Sequence, residues 1–560
     1  MLIMARRLKS SNSSFIGLAA FHLARRFPTP HITLIEKAPT IGGWVHSERV
    51  RVHDGGRDCE ILLEGGPRTL RPGSKAVLEL INLLNLSSSI LTVSDTSPAA
   101  RNRFLHLPGT HGLVHIPSSL PALLRSPLSR VLFPAVLKDL VTLHRNTLNV
   151  ESSRDESVDA FLTRHFGPEF ALKFGSALVH GIYAADSRVL STRAALRWLL
   201  WRKAAGAARV TEKEPQEERY DLGHIEYLMK GVSVYSFKSG LQTLVDALLE
   251  DLEKRENVSV IKGDPVAKLS RTNDSRDFEL ETESGRTIVS SHLVSAMPLP
   301  ALHELLQNSY RHPPSSHSTA HISSHSLPRS EDIVRPPLPP FPHPALAFRT
   351  HVPGRYYIPQ LTRSTSTSTP VKTPSQQSTA LPMLPHLLAN PTSSVVVINL
   401  VFPLRHHRST LRASAILSRA RRLGLGILGT VFDSCALAGQ DIQGSADADA
   451  PRFTKMTVML GGPYPSPTPD PSSPMFLPAL LKALSSHLGT PALPEPCLVR
   501  VRQHAHCIPT PTVGHVERMA ELRAAVSQFW GKEAAVIGAG VGGVSVGDCV
   551  EAGRRVGLDW

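Results

Sequence analysis

The sequence predicts an α/β fold in which one open sheet, flanked by helices, is completed by segments far apart in the chain. Three observations predict it. Ile32-Thr33-Leu34-Ile35 reads as a buried strand ending in Glu36, followed by the glycine pair Gly42 and Gly43. Upstream, Gly17 to Arg26 has the small residues and apolar spacing of a helix packed on such a strand. At the other end, Ala534 to Ile537 runs into a glycine turn from Gly538 to Gly543.

Each element carries its own argument. Glu36 lies nineteen residues after Gly17, the spacing of a dinucleotide-binding βαβ unit whose second strand ends in a ribose-binding acid. Gly42 and Gly43 let the chain turn beneath a diphosphate where a Cβ would collide. A complete glycine fingerprint would also need glycines at positions 12 and 14, which hold Asn12 and Ser14. Residues 1–16 are therefore expected to be an aberrant N-terminus, without the usual first strand. Gly538, Gly540 and Gly543 do match that fingerprint, but only seventeen residues follow, too few for another βαβ unit. A helix over Val544–Arg555, with free amides and a positive dipole end at the glycine turn, is the better expectation.

The chain has 560 residues, 41% of them apolar, enough for two or three domains. Its net charge of +14 favours anionic partners. Nucleic acid is disfavoured, because aromatics are only 6% and no such motif is present. Five scattered cysteines without a C-x-x-C pair predict neither a disulfide framework nor a metal site. No apolar run reaches the length of about eighteen residues that a membrane span needs. Residues 1–30 are basic and free of acids, weakly like a mitochondrial targeting segment.

Along the chain, helices are expected over Ala76–Leu86 and Gly240–Lys254. Strands are expected at Val258–Ile261, around Val266, in a hairpin of Phe278–Glu283 and Arg286–Val289, and near Leu293. Residues 100–235 read as mostly helical and, in part, basic and amphipathic, suited either to an anionic bilayer or to a helical subdomain. Residues 311–394 hold sixteen of the 46 prolines, which predicts a disordered insertion. Order is expected again from Ser394, with neighbouring strands at Gly426–Ser434 and Lys455–Gly462. Between them Arg405–Gly424 carries six arginines and no acid.

Taken together, IEKAPTIGGWVHS, EGGPRTLRP, NRFLHLPG, HGIYAADSRVLSTRAA, YSFKSGLQTLVDAL, LVSAMP, GTVFDS, TVMLGG, CIPTPTVGH and GVGGVSVGDCVEAGR resemble, in order, the protoporphyrinogen oxidase family of the flavin amine oxidase-like superfamily. The resemblance implies a Rossmann-like FAD-binding domain of the amine oxidase type, a mixed-sheet substrate domain and a helical membrane-facing domain. It divides the chain into FAD-binding parts at 1–110, 233–300 and 500–560, a helical domain at 111–232 and a substrate domain at 301–499. It implies FAD as cofactor and oxidation of protoporphyrinogen IX by O2 in haem biosynthesis. Cofactor contacts would fall on Gly17, Glu36, Lys37, Gly42, Gly43, Trp44, Gly66, Pro67, Arg68, Thr69, Val266, Ala539, Val544, Ser545 and Val546. Arg103 would pair with a substrate propionate, and Gly181 and Met459 would border the tetrapyrrole. No catalytic triad is required, since the flavin performs the redox step.

The same resemblance implies peripheral attachment to the mitochondrial inner membrane, with homodimerisation and contact with ferrochelatase as further expectations. Two departures stand out: the missing fingerprint glycines, and RHHRSTLRASAILSRARRL where the family has a glycine-rich pocket segment. Ala185 also replaces a common glycine. Another flavin amine oxidase-like enzyme, such as an amine oxidase or carotenoid desaturase, and a cofactor-free remnant of the family are the competing readings.

Overall fold

Five short strands form an all-parallel sheet in the order Ala534–Val536, Leu293–Ser295, Leu2–Met4, Ile32–Glu36, Val258–Lys262. Its strands come from both ends and the middle of the chain, so distant segments do complete one sheet. The computed structural model describes residues 2–4, 16–54, 57–106, 112–116, 155–195, 220–274, 276–311, 378–403, 415–418, 425–443, 453–463, 470–560 and parts of 126–138. The expected loss of the first strand is overturned. Leu2–Met4 sits at the centre of the sheet, with Leu2 opposite both Leu293 and Thr33. Three residues suffice because both edges are hydrogen-bonded to neighbours. Positions 12 and 14 lie outside the described residues.

Helices cover this sheet closely. The helix Ile16–Arg26 packs between Gln242–Glu253 and the C-terminal helix Val546–Arg555. Glycines set these approaches: a Cβ on Gly17 would stand 2.5 Å from a Leu248 methyl, and one on Gly553 2.9 Å from the Leu18 Cβ. The core beneath includes Phe21, Leu34, Leu252, Val294 and Trp530, all fully buried. A four-stranded antiparallel sheet adjoins, built on Val266–Thr272, Phe278–Thr282 and Thr287–Ser290. Its edge strand is Ser378–Ala380. Residues 378–394, expected within the disordered insertion, thus include the strand Ser378–Ala380 and the start of Thr392–Pro403; residues 312–377 lie outside the described residues.

A seven-stranded sheet forms the second large unit, in the order Leu498–Pro509, Thr392–Pro403, Phe453–Gly462, Ile427–Val431, Ala415–Ser418, Arg103–His106, Val114–His115. Part of the arginine-rich segment thus supplies an inner strand, Ala415–Ser418, antiparallel to Ile427–Val431 and parallel to Arg103–His106. Leu498–Pro509, across which the expected boundary at residue 500 falls, belongs whole to this sheet. One face packs on the helix Phe476–Leu488.

In the helical region, Val158–Phe166 packs on a run formed by Pro168–Phe170, a π-turn at Ala171–Gly175 and Ser176–Tyr183. The run ends at Ala184, left-handed at φ 48°, so the strained position is the residue before Ala185. Among the described residues no helix is long and apolar enough to cross a membrane.

Candidate functional site

In a parallel sheet the carboxyl ends of the strands gather on one edge, where ligands bind. Glu36 ends its strand there, 3% exposed, with one carboxylate oxygen accepting the Ala38 amide at 2.9 Å. The Gly263 amide donates to the Ala38 carbonyl at 3.0 Å, which brings the entry to the Val266 strand against Glu36 and the half-buried Lys37. Val266 itself is fully buried. On the same edge, two strands intervene between Glu36 and the turn after Val536, a separation of about 14 Å at the usual strand spacing.

Beside this edge lies an apolar cleft, partly open to solvent and lined by Gly17, Ile41, Val45, Leu70, Leu241 and Val546 among others. N-terminal helix, glycine-pair loop, 65–70 segment and C-terminal helix thus meet on one opening. Gly42 and Gly43 adopt φ of 124° and 59°, as the tight turn requires, and the Val45 amide closes it on the Gly42 carbonyl at 3.0 Å. Gly66 is stricter: a Cβ there would stand 2.1 Å from the Trp44 carbonyl oxygen. Gly66, Pro67 and Thr69 are half-buried, and Arg68 is buried.

The C-terminal turn differs in detail from expectation. Its helix starts at Val546, with Ser545 as N-cap and Asp548 completing a capping box. The Ser545 and Asp548 amides are consequently occupied, not free; Ala539 is half-buried and Val544 precedes the cap. Asn390 donates to the Gly540 carbonyl at 3.0 Å, and its own carbonyl oxygen lies 3.1 Å from Nδ1 of His515. With the Asn390 amide committed to Gly540, Nδ1 must carry the His515 proton. Burial first, then nearby Arg518 and Arg523, bring the His515 pKa down to about 4.

The seven-stranded sheet turns its second face toward these loops. Trp44, Met459, Val395, Val397 and Leu428 form one apolar cluster, which joins a residue expected at the cofactor to one expected at the substrate. Arg68 reaches Met459, its Nη2 lying 4.0 Å from the sulfur, and pairs with Asp433 at 3.3 Å. The register row Val397, Met459, Gly429, Leu417, Leu105 crosses the sheet. Arg103, two residues before Leu105, shares the Met459 face; it is exposed and three strands away. Half-buried Gly181 lies on a helix that packs against Ala415–Ser418 and Ile427–Val431.

Sequence reasoning missed the polar groups on this face. Thr457 donates to Asp433 and accepts from Asn399 at 2.9 Å; Asn399 accepts from Arg502 at 3.0 Å. Arg502 also pairs with Glu48. Glu64, held by Ser47 at 2.7 Å and the Leu241 amide at 2.9 Å, has its pKa raised to about 6 because burial outweighs both bonds. Only their alternation with apolar residues in TKMTVML and VRVRQHAH could have signalled a polar face.

These features fit a dinucleotide cofactor: a buried acid at a strand end, turns that exclude a Cβ, and an adjoining cleft. Residues 18–354 match the family model of flavin containing amine oxidoreductase, and the chain belongs to that family. Its full length is 30% identical to protoporphyrinogen oxidase of Bos taurus, over 99% of this chain and 98% of that one. The human protein of the same name is 29% identical over the same shares, and that of Schizosaccharomyces pombe 25% over 96% and 94%. Within the flavin family the chain therefore sits among the protoporphyrinogen oxidases, and its cofactor is FAD. Solved structures agree in fold. A protein from Exiguobacterium sp. 255-15, provisionally called a protoporphyrinogen oxidase, superposes with a TM-score of 0.61 at 18% identity, covering 99% of this chain and 96% of that one. For UDP-galactopyranose mutase the TM-score is 0.56 at 13% identity, with coverage of 99% and 94%.

Proposed function

We propose that the chain oxidises protoporphyrinogen IX to protoporphyrin IX, removing six hydrogens in three cycles and reducing three O2 to three H2O2. FAD, when bound, supplies the two-electron chemistry, accepting hydride from carbon and passing the electrons to O2. The protein has to hold cofactor and macrocycle together and exclude water. Glu36 would hold the adenosine ribose. Gly66 lets the backbone approach, with Arg68 beside it, and Val546 borders the cleft. Trp44 and Met459 supply the apolar wall between cofactor and substrate sides. Arg103, on the Met459 face and about 16 Å away by three strand spacings and a two-residue offset, would pair with a carboxylate on the rim of a large ring.

The observation that carries this reading is the joining of Trp44, Arg68 and Met459 in one contact region. It is tested by giving the FAD-loaded chain protoporphyrinogen IX and following porphyrin fluorescence with O2 uptake. Three O2 per porphyrin is the expected result; flavin present without fluorescence would refute the substrate. A second reading, a folded member that holds FAD poorly, is favoured by Asn12 and Ser14 at the fingerprint positions. It predicts a colourless purified protein.

We also place the protein peripherally on the mitochondrial inner membrane, as a homodimer in contact with ferrochelatase. The net charge of +14 supports attraction to an anionic bilayer. Co-sedimentation with anionic but not neutral vesicles, lost at high salt, is the expected result.

A further inference from the structure

We infer that Asp433 is a positioning residue which, through Arg68, sets the reduction potential of the bound flavin; this rests on the FAD reading above. The two side chains are only 10% and 5% exposed, so the pair is nearly shut off from water. Arg68 belongs to the segment between the strand Arg57–Glu64 and the cleft-lining Leu70, whereas Asp433 follows the strand Ile427–Val431 of the seven-stranded sheet. The ion pair therefore crosses from the substrate sheet to the cofactor loop.

Asp433 is itself fixed by a chain of bonds with only one sense. Asn399 gives one amide hydrogen to the Thr457 hydroxyl at 2.9 Å and lies 3.2 Å from the Glu64 carbonyl with the same nitrogen. Arg502, a donor only, occupies the Asn399 carbonyl oxygen. Thr457, already accepting, turns its own hydrogen to the second Asp433 oxygen. The carboxylate is thus held at one oxygen by Thr457 and at the other by Arg68. In a buried site its charge offsets the guanidinium at short range. Reduced flavin is electron-rich, so an Arg68 charge that is not offset favours reduction.

The test uses the full chain loaded with FAD and measures the flavin midpoint potential. Asp433→Asn removes the offsetting charge, and the potential is expected to move upward. Thr457→Val keeps the side-chain volume but loses the hydroxyl, and is expected to move it the same way by less. Thr457→Ser keeps the hydroxyl and is expected to retain the wild-type potential. A purely structural role predicts losses of stability with no change in potential. If Asp433→Asn does not fold, the Val and Ser pair decides the matter alone. Unmoved potentials in FAD-loaded Thr457→Val would overturn the assignment. A wild-type chain that takes up no FAD is a different failure and would overturn the flavin reading.

Discussion

The two faces of the seven-stranded sheet are built from the same strands and do opposite work. Val396, Ile398, Leu400, Val458 and Leu460 point one way, onto Leu480 and Leu484 of the helix Phe476–Leu488, and all are buried. The residues between them point the other way: Asn399 and Val397 on one strand, Lys455, Thr457 and Met459 on the next, Arg500, Arg502 and His504 on the edge strand. Lys455, 2% exposed, is held by Asp441 at 2.8 Å and the Leu62 carbonyl at 2.7 Å. Buried polar groups are costly unless partnered, so a face that carries this many is shaped by what it meets. It meets the antiparallel pair of strands Ser47–Asp54 and Arg57–Glu64 and the segments at Trp44 and Arg68 that flank them. Strand alternation lets one sheet supply stability and a site surface without either compromising the other.

The largest expected effect comes from breaking the apolar face. Ile398→Ala removes a fully buried side chain and should destabilise by about 3 kcal/mol, read by chemical denaturation. The flavin spectrum of the protein that remains folded should not change. A shifted spectrum would mean that the two faces are not independent.

Next is the point where the other face meets its loop. Gly66→Ala places a methyl 2.1 Å from the Trp44 carbonyl, so backbone must move where no flexible side chain can give. FAD affinity should fall about a hundredfold, or ~2.7 kcal/mol, by flavin titration, together with a loss of stability from the displaced backbone. This loop was legible in the sequence because a glycine requirement and the adjacent EGGPR run are local. The Asp433–Thr457–Asn399–Arg502 chain was not. It depends on the register between strands that lie far apart in sequence, and a one-residue slip of any of the three strands would turn its member to the other face. The first strand was misread for a related reason. Met1 to Met4 is too short to show periodicity, and only pairing on both sides makes Leu2–Met4 a strand.

Glu64 offers a smaller, graded test of the polar face. Burial raises its pKa to about 6 from an ordinary 4.5, so the folded state holds this proton more tightly than the unfolded chain. Its contribution is intact below the unfolded pKa and is lost as pH rises through the folded one. Stability should therefore decline between about pH 4.5 and 6.5, by ~2 kcal/mol from this group at most. Glu64→Gln, measured by urea denaturation across that window, should flatten the slope. An unchanged slope would locate the titration elsewhere.

The smallest effect separates the sheet face from the substituted fingerprint positions. If the site-facing surface is already complete, the limit on flavin retention lies at Asn12 and Ser14, sequence positions that the fingerprint reserves for glycine. Replacing both with glycine should then tighten FAD binding about tenfold, ~1.4 kcal/mol. The midpoint potential should stay where Asp433 and Arg68 set it. Affinity and potential would thereby be assigned to different parts of the chain, positions 12 and 14 and the polar sheet face. Equal FAD occupancy in the wild-type and glycine-restored chains would show instead that the apolar cleft and the Gly66 loop already govern retention, and that the two substitutions cost the cofactor little.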